Sequence, residues 1–220
     1  MELKSRMTLI VPGLYLGTAG AARDPEMLRK NGINANVSLT HRWSRSWDTV
    51  TREGGVSKDR HVWFECADSP TQDLLVHMRK ICYAIDRMAP ATLTSLTSLP
   101  VDDKQKTNYA PPCAPEGILI HCRYGKSRSA TMVVAYLMRK FRLPRDDIMK
   151  YVEVKQHINP NPGFMRQLEF WEECGHQMWQ DWLETIPKAP YKTWLEERAV
   201  VLKEQGYTEN DQQVRPYLRF

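Results

Sequence analysis

The feature that most constrains the fold is a short apolar strand that runs into a polar turn and then into a long helix. The strand pattern is Ile118-Leu119-Ile120-His121, and the helical pattern covers residues 129–141. Cys122 ends the strand, and Arg128 follows after five intervening residues, where the helix starts. Backbone N–H groups between them can curl around an anion, and the helix N-terminus adds partial positive charge. The segment therefore predicts an anion-binding loop.

Cys122 and Arg128 are the two residues of this loop that can carry chemistry. The positive field of the loop stabilises a thiolate, which is the nucleophilic form of cysteine. The planar guanidinium of Arg128 can hold two phosphate oxygens at once. Together they predict covalent catalysis with an electrostatically stabilised transition state. Taken singly, Cys122 is also compatible with a core cysteine and Arg128 with a solvated arginine.

A nucleotide-binding P-loop is the rival interpretation of the same segment. Gly125-Lys126-Ser127 matches the end of the pattern GxxxxGK[ST]. That pattern requires glycine at position 120, which is occupied by Ile120. The interpretation as an NTPase therefore fails.

Composition restricts the class of protein. The 220 residues fit one compact domain with some chain left over, and 42% hydrophobic residues supply an ordinary core. The net charge of +5 is mild, and its basic residues are spread among acids, which favours a basic pocket over a nucleic-acid interface. Five cysteines without a CxxC pattern argue against a disulfide framework and against a zinc site.

The ends and the apolar runs of the chain predict its location. The first residues, Met1 to Arg6, are polar and charged and predict no signal peptide. The longest purely apolar run, Met132 to Met138, is too short to cross a bilayer. The expectation is a soluble protein of a reducing compartment, in the cytoplasm, with the nucleus as a second location.

Hydrophobic periodicity and turn residues predict the remaining elements. The predicted strands are residues 7–11, 14–16, 33–39, 61–66 and 118–121, and the predicted helices are 24–30, 73–88, 129–141, 144–157 and 164–183. Residues 41–59 are polar and are predicted as a loop or hairpin. Residues 89–117 lose all periodicity and contain five prolines, which predicts an inserted surface loop. The tail, residues 184–220, is predicted to be partly helical.

Three segments resemble one known family. The sequence HCRYGKSRS, residues 121–129, resembles the HCxxGxxRS signature of the dual-specificity branch of the cysteine-dependent protein tyrosine phosphatase superfamily. Residues 12–17 resemble the N-terminal strand pair of that family, and residues 159–164, followed by Gln167-Leu168, resemble its segment behind the catalytic loop. The similarity covers about residues 7–175. It implies an α/β fold with a short mixed central sheet and helices on both faces.

The resemblance also implies roles for individual residues. Cys122 would attack phosphorus and form a phosphocysteine, and Arg128 would bind the phosphoryl group through both steps. Ser129 would hydrogen-bond the sulfur and help the intermediate break down. His121 would hold the loop and help keep Cys122 ionised. Asn161 would brace the loop from behind, or would be a plain turn residue.

The resemblance further implies an aspartate that acts as general acid on a loop before the long helix. Asp68 sits at that point, and Asp73 is the rival, although Asp73 also suits the start of the helix. The separation of Asp68 from Cys122 exceeds the family's usual one, and an insertion at 89–117 accounts for the excess. Asp102 and Asp103 fall within that insertion and are expected to be solvated charges.

The substrate is the point on which the sequence leaves alternatives. The loop residues expected to hold phosphate together with Arg128 are Arg123, Tyr124, Gly125, Lys126 and Ser127. Phosphotyrosine and phosphoserine or phosphothreonine proteins are the expected substrates. Arg123 and Lys126 occupy places that are basic in the family's phosphoinositide and phospholipid phosphatases, so a lipid or inositol phosphate is the alternative, unless both side chains point outward. A catalytically inactive phosphate-binding module is the third hypothesis.

The expected organisation is a catalytic domain, residues 1–175, with the inserted loop at about 89–117, and a C-terminal extension, residues 176–220. Trp179, Trp182 and Trp194 in this extension are expected to pack on the core, with an interface or the site as the alternative. We expect no cofactor and no metal ion, and the oligomeric state is left open.

Overall fold

A mixed β-sheet forms the centre of the computed structural model, which describes residues 5–41, 45–100 and 116–208. Within these residues the sheet has five strands in the order β1-β2-β5-β3-β4. Their bounds are β1 Met7–Val11, β2 Leu14–Thr18, β3 Ile33–Thr40, β4 His61–Glu65 and β5 Gly117–Cys122. β1 is antiparallel to β2, and the other pairs are parallel. β5 is therefore central, and it delivers Cys122 to the carboxyl edge of the parallel strands.

Helices cover both faces of this sheet. Their bounds are α1 Pro25–Lys30, α2 Arg45–Glu53, α3 Leu75–Met88, α4 Ala91–Thr94, α5 Arg128–Phe141, α6 Arg145–Lys155, α7 Pro162–Glu173 and α8 Ala189–Glu204. Successive side chains of β5 point to opposite faces. Ile118 and Ile120 accordingly join the larger core under α3 and α5, whereas Leu119 joins a smaller cluster with Leu28 of α1.

Local signals in the sequence start the helices next to the site. Asn161 caps α7, because its Oδ1 accepts a hydrogen bond from the backbone N–H of Phe164 at 3.0 Å, and Pro162 occupies the first helical position. Asp24 caps α1 in the same way, through the N–H of Met27 at 2.9 Å. In each cap, a side chain accepts a hydrogen bond from a backbone N–H group that has no partner within the helix.

Most predicted elements are confirmed, but the predictions for residues 41–59, 89–117 and 164–183 are wrong in part. Residues 41–59, predicted as a loop or hairpin, contain α2, whose sequence is mostly polar, with Trp47 and Val50 as its apolar residues. The helix predicted to continue to residue 183 ends at Glu173. Gly175 and His176 both adopt φ of 64°, which breaks the helix.

The predicted surface loop at 89–117 is also wrong in its first part. Residues 91–94 form α4, and Leu93 is fully buried in the main core. Pro90 is buried as well, and it lies against Gly13, where a Cβ atom would come within 2.6 Å of the proline Cγ. Residues 101–115 lie outside the described residues. That 89–117 is an insertion stays a prediction, as do the domain boundaries.

The tail is partly helical, as predicted, and α8 packs on α7. The rings of Trp194 and Phe170 lie 6.3 Å apart, and those of Tyr191 and Trp179 lie 5.3 Å apart. Trp194 is buried and Trp179 half-buried, whereas Trp182 is 80% exposed. Two of the three tryptophans therefore pack on the core, as expected. In the described part of the chain, no helix is both long and apolar enough to span a membrane.

Candidate active site

Cys122 lies at the bottom of a loop formed by residues 121–129, which we call the cradle. Its side chain is buried, and its sulfur accepts a hydrogen bond of 3.1 Å from the hydroxyl of Ser129, in the first turn of α5. The chain turns back at Gly125, whose φ is 70°. A Cβ atom there would come within 2.7 Å of the Gly17 carbonyl oxygen, so glycine is required both by conformation and by space.

The cradle is braced by the segment after α6. Gln156 donates a hydrogen bond of 2.8 Å from Nε2 to the Gly125 carbonyl, and the Asn159 N–H donates one of 2.8 Å to the Lys126 carbonyl. The Ala19 N–H contributes a third, of 3.4 Å, to the Arg123 carbonyl. Sequence reasoning missed Gln156, because nothing in its neighbourhood distinguishes it from any polar residue at a helix end.

Arg128 is held by one edge of its guanidinium. Its Nη1 donates a hydrogen bond of 3.1 Å to the Cys66 carbonyl, and its side chain is buried. Its Nε has no hydrogen-bond partner among the described residues and lies 3.6 Å from Oδ2 of Asp68. A buried arginine with an unused donor suits the binding of an anionic oxygen.

Asp68 is the carboxylate that the structure brings to the cradle. Its Oδ1 accepts two hydrogen bonds, of 2.7 Å from the Ser127 hydroxyl and of 3.1 Å from the Asn161 amide. Its Oδ2 faces Arg128, and about a third of the side chain is exposed. One oxygen of Asp68 is thus fixed by two donors, while the other is directed to the place where an anion would bind.

Asn161 contacts Asp68 and the start of α7, and its support of the cradle stays a prediction. Among the described residues, its side chain bonds the backbone N–H of Phe164 and the carboxylate of Asp68. The residue is therefore a helix cap that also orients Asp68. The contact was hidden in the sequence, because Asn161 and Asp68 are 93 positions apart.

Asp73, the rival candidate for the acid, lies at the start of α3. Its Oδ1 accepts a hydrogen bond of 3.3 Å from the Val76 N–H, and its Oδ2 accepts one of 2.9 Å from the Tyr191 hydroxyl. The pKa of the Asp73 carboxyl is raised, because desolvation outweighs the lowering effect of the hydrogen bond from Tyr191. These contacts describe a residue that holds the helix start together.

His121 is fully buried beneath the cradle. Its Nε2 lies 2.7 Å from the Ser38 hydroxyl on the neighbouring strand β3, and Ser38 is also 2.8 Å from Nε2 of His61. Burial lowers the pKa of His121 to about 3. The imidazole is therefore neutral near pH 7, so it holds the loop by hydrogen bonding and adds no full positive charge beside Cys122.

The remaining residues of the cradle divide into a buried and an exposed group. Gly125 and Ser127 are buried, whereas Arg123, Tyr124 and Lys126 are exposed. Arg123 lies over the ring of Tyr124, with 5.2 Å between the guanidinium carbon and the ring centre. The two basic side chains therefore lie at the outer rim, and the backbone of the loop lines the cradle. Among the described residues, no cluster of His, Cys, Asp or Glu is arranged to hold a metal ion.

Comparison with known proteins agrees with this geometry. The family described as "Dual specificity phosphatase, catalytic domain" matches residues 114–174. Dual specificity protein phosphatase 22 of Homo sapiens is 30% identical over 181 residues, which cover 81% of this chain and 80% of the relative. Dual specificity protein phosphatase 26 of Bos taurus is 34% identical over 158 residues, 71% of this chain, and the match spans 63% of that relative, less than two thirds of its length.

Among solved structures, human DUSP28 superimposes with a TM-score of 0.57 at 25% sequence identity, covering 76% of this chain and 93% of DUSP28. The chain belongs to the dual-specificity phosphatase family. The family and the α/β fold predicted from the sequence are thereby confirmed, and so is the prediction of a dual-specificity phosphatase at the level of the family. The lipid-phosphatase alternative is not favoured, since these relatives are named as protein phosphatases.

Proposed function

We propose that this protein hydrolyses phosphate monoesters on phosphotyrosine and phosphoserine or phosphothreonine proteins, through a phosphocysteine at Cys122. One observation carries the proposal: the sulfur of Cys122, the guanidinium of Arg128 and the carboxylate of Asp68 converge on one cradle. A nucleophile, an anion-binding group and a proton donor are the three parts that phosphoryl transfer to a thiolate requires.

In the first step, the Cys122 thiolate attacks phosphorus, and the bond from phosphorus to the substrate oxygen breaks. The bound phosphoryl oxygens are held by the backbone N–H groups of the cradle, at the N-terminus of α5, and by Arg128. Protonated Asp68 gives its proton to the leaving oxygen. Since Ser127 and Asn161 occupy Oδ1, the proton is given from Oδ2.

In the second step, water attacks the phosphocysteine, and the bond from phosphorus to sulfur breaks. Asp68, now ionised, takes the proton of the attacking water. The hydroxyl of Ser129, 3.1 Å from the sulfur, donates a hydrogen bond to the departing thiolate. Inorganic phosphate leaves, and Cys122 and Asp68 return to their starting states, so the cycle needs no cofactor.

The exposed rim supports a phosphorylated protein as the substrate. Arg123 and Lys126 extend into solvent at the mouth of the cradle, where their positive charge attracts an anionic phosphopeptide. The relatives are named as protein phosphatases.

We also propose that the protein acts in the cytoplasm, with the nucleus as a second location; the free thiols of Cys66, Cys82 and Cys174 suit a reducing compartment.

Replacing Cys122 by serine tests the proposal. Cys122→Ser should abolish turnover of 4-nitrophenyl phosphate and of a phosphotyrosine peptide, because serine lacks a readily ionised sulfur. Binding of tungstate, measured by calorimetry, should persist, since the backbone and Arg128 are unchanged. The matched control is Cys174→Ser, which changes a cysteine at the end of α7 and should retain activity.

Three results would contradict the proposal. Substantial turnover by Cys122→Ser would exclude Cys122 as the nucleophile. Failure of the wild-type protein to bind tungstate would exclude the cradle as an anion site. Tungstate binding without any turnover by the wild-type protein would instead identify an inactive phosphate-binding module.

A further inference from the structure

The segment that carries Asp68 is held at two points by the helix of the C-terminal extension. This acid segment, residues 66–74, connects β4 to α3, and α8 begins at Ala189. We propose that α8 positions the acid segment, and that Tyr191 and Arg198 are positioning residues for proton delivery by Asp68. The inference rests on the proposed function and gives the C-terminal extension a role in it.

Arg198 makes the first contact. This arginine is 7% exposed, and its Nε donates a hydrogen bond of 2.7 Å to the backbone carbonyl of Thr71. The hydroxyl of Thr71 lies 3.1 Å from that of Ser69, and both residues are buried. Ser69 directly follows Asp68 in the chain. The buried guanidinium therefore fixes the backbone three residues beyond the carboxylate.

Tyr191 makes the second contact, about two turns before Arg198 on α8. Its hydroxyl donates a hydrogen bond of 2.9 Å to Oδ2 of Asp73, at the far end of the acid segment. Asp73 in turn accepts the Val76 N–H at the start of α3. Tyr191 itself is buried. The acid segment is thus bound to α8 at two positions, Thr71 and Asp73.

α8 is held firmly enough to act as a support. Trp194, between the two contacts, packs its ring against Phe170 of α7. At the helix start, Lys188 donates a hydrogen bond of 2.7 Å from Nζ to the Cys174 carbonyl. On the outer surface, Arg166 of α7 pairs with Glu197 at 3.2 Å. Because α8 is fixed to α7 at three places, its hydrogen bonds can hold the acid segment in a defined position.

α7 holds the same segment independently, so the contribution of α8 is separable. Gln167 is fully buried; its Oε1 accepts the N–H groups of Leu74 and Leu75, at 2.7 and 3.1 Å, and its Nε2 donates to the Gln72 carbonyl at 2.8 Å. With Gln167 in place, changes on α8 should shift the segment without unfolding it. Proton transfer depends on placement within hydrogen-bond reach, so a small shift slows it.

The test uses substrates that differ in their need for a proton. Phenyl phosphate has a poor leaving group and requires the acid, whereas 4-nitrophenyl phosphate requires it much less. Arg198→Met should lower kcat/KM for phenyl phosphate by about tenfold and kcat/KM for 4-nitrophenyl phosphate less than about twofold, because kcat/KM reports the step in which the leaving group departs, whereas both substrates share the breakdown of the phosphocysteine. Arg198→Lys, which keeps a charged donor, should recover most of the loss.

Tyr191→Phe is the milder variant, because it removes a single hydroxyl, and it should show the same selectivity with a smaller, few-fold effect. Lys192→Ala is the matched control: Lys192 neighbours Tyr191 on α8 but is exposed, and its variant should behave like the wild type. Thermal unfolding identifies any variant that is not folded at the assay temperature. If Arg198→Met is not folded at the assay temperature, the test relies on Tyr191→Phe.

Equal losses on both substrates in a folded variant would overturn the inference, since α8 would then act on the whole site. Unchanged kcat/KM for phenyl phosphate in folded Arg198→Met and Tyr191→Phe would overturn it as well. The proposed function is judged separately by Cys122→Ser. Loss of activity in that variant, combined with no selectivity in the α8 variants, rejects the inference and leaves the proposed function intact.

Discussion

The cradle and the acid segment are both parts of one site, but they are built in opposite ways. The cradle consists of nine consecutive residues, 121–129, whose strand, turn and helix are encoded next to one another. The acid segment takes its shape from distant parts of the chain: Ser127 and Asn161 hold Asp68, Gln167 holds the start of α3, and α8 holds Thr71. Anion binding is thus a local property of this protein, whereas proton delivery is a property of its packing.

The difference implies that the two functions can be damaged separately. A change inside the cradle should weaken anion binding and therefore every later step. A change around the acid segment should leave anion binding intact and slow the first step, measured as kcat/KM, only for the substrates that need a proton. The variants below are chosen to separate these two patterns.

The largest selective effect is expected for Asp68→Asn. Loss of a general acid typically costs about 10²–10⁴-fold, so kcat/KM for phenyl phosphate should fall within that range, and kcat/KM for 4-nitrophenyl phosphate far less. Asp73→Asn should lower the unfolding temperature instead, because Asp73 bonds Val76 and Tyr191. The assignment of the acid would be reversed were Asp73→Asn to show the substrate selectivity and Asp68→Asn to lack it.

Two glycines offer the next comparison, one inside the cradle and one that packs against the acid segment. In Gly125→Ala, the new Cβ would meet the Gly17 carbonyl at 2.7 Å in a backbone of positive φ. In Gly163→Ala, at the start of α7, it would meet the Pro70 carbonyl of the acid segment at 2.0 Å. Overpacking of this kind costs about 1–3 kcal/mol of stability, so both variants should unfold at lower temperature.

The two glycine variants should nevertheless differ in function. Gly125→Ala should weaken tungstate binding and slow both aryl phosphates. Gly163→Ala should bind tungstate normally and slow phenyl phosphate selectively, because Pro70 moves together with Asp68. Calorimetry and the two substrates measure this in the folded fraction of each variant. Weakened tungstate binding in Gly163→Ala would show that the two regions are not separable.

The smallest effects are expected for the two donors to Asp68. Ser127→Ala and Asn161→Ala each remove one hydrogen bond to Oδ1 and leave the other, and a bond of this kind to a charged group contributes about 1.5–3 kcal/mol, less where it is solvated. Phenyl phosphate turnover should fall about tenfold in each. Asn161→Ala should also lose about 1 kcal/mol of stability, as an N-cap. Unchanged phenyl phosphate turnover in both single variants and in the double variant would show that neither donor orients Asp68.

The same contrast explains what the sequence predicts and what it does not. Cys122, Arg128 and Ser129 are recognisable because their spacing is part of a strand, turn and helix that are contiguous in the chain. The placement of Asp68 follows from the family resemblance. Its hydrogen bond with Asn161 does not, since the two residues meet only in the folded protein. Gln156 carries no local signal for the same reason, because it bonds a backbone that is distant in sequence. Gln167 belongs to a segment that resembles the family, but its contact with Leu74 is not visible in the sequence.

Errors in the predicted elements have equally specific causes. α2 contains only two apolar residues, Trp47 and Val50, in a polar sequence, so hydrophobic periodicity gives a weak signal there. The end of α7 is marked by Gly175, a local signal that the prediction passed over. Leu93 is buried in a stretch whose prolines and hydroxyl residues are typical of surface loops. For Leu93, tertiary packing, which the local pattern does not contain, decides the outcome.

The most direct test of the account is detection of the phosphorylated enzyme. In Ser129→Ala the departing sulfur loses its hydrogen bond, so the intermediate should break down slowly and accumulate. After reaction with 4-nitrophenyl phosphate and rapid quenching, mass spectrometry of the digested protein should find one phosphoryl group on Cys122. A phosphoryl group on any other residue, or turnover with no phosphorylated enzyme under these conditions, would contradict the account.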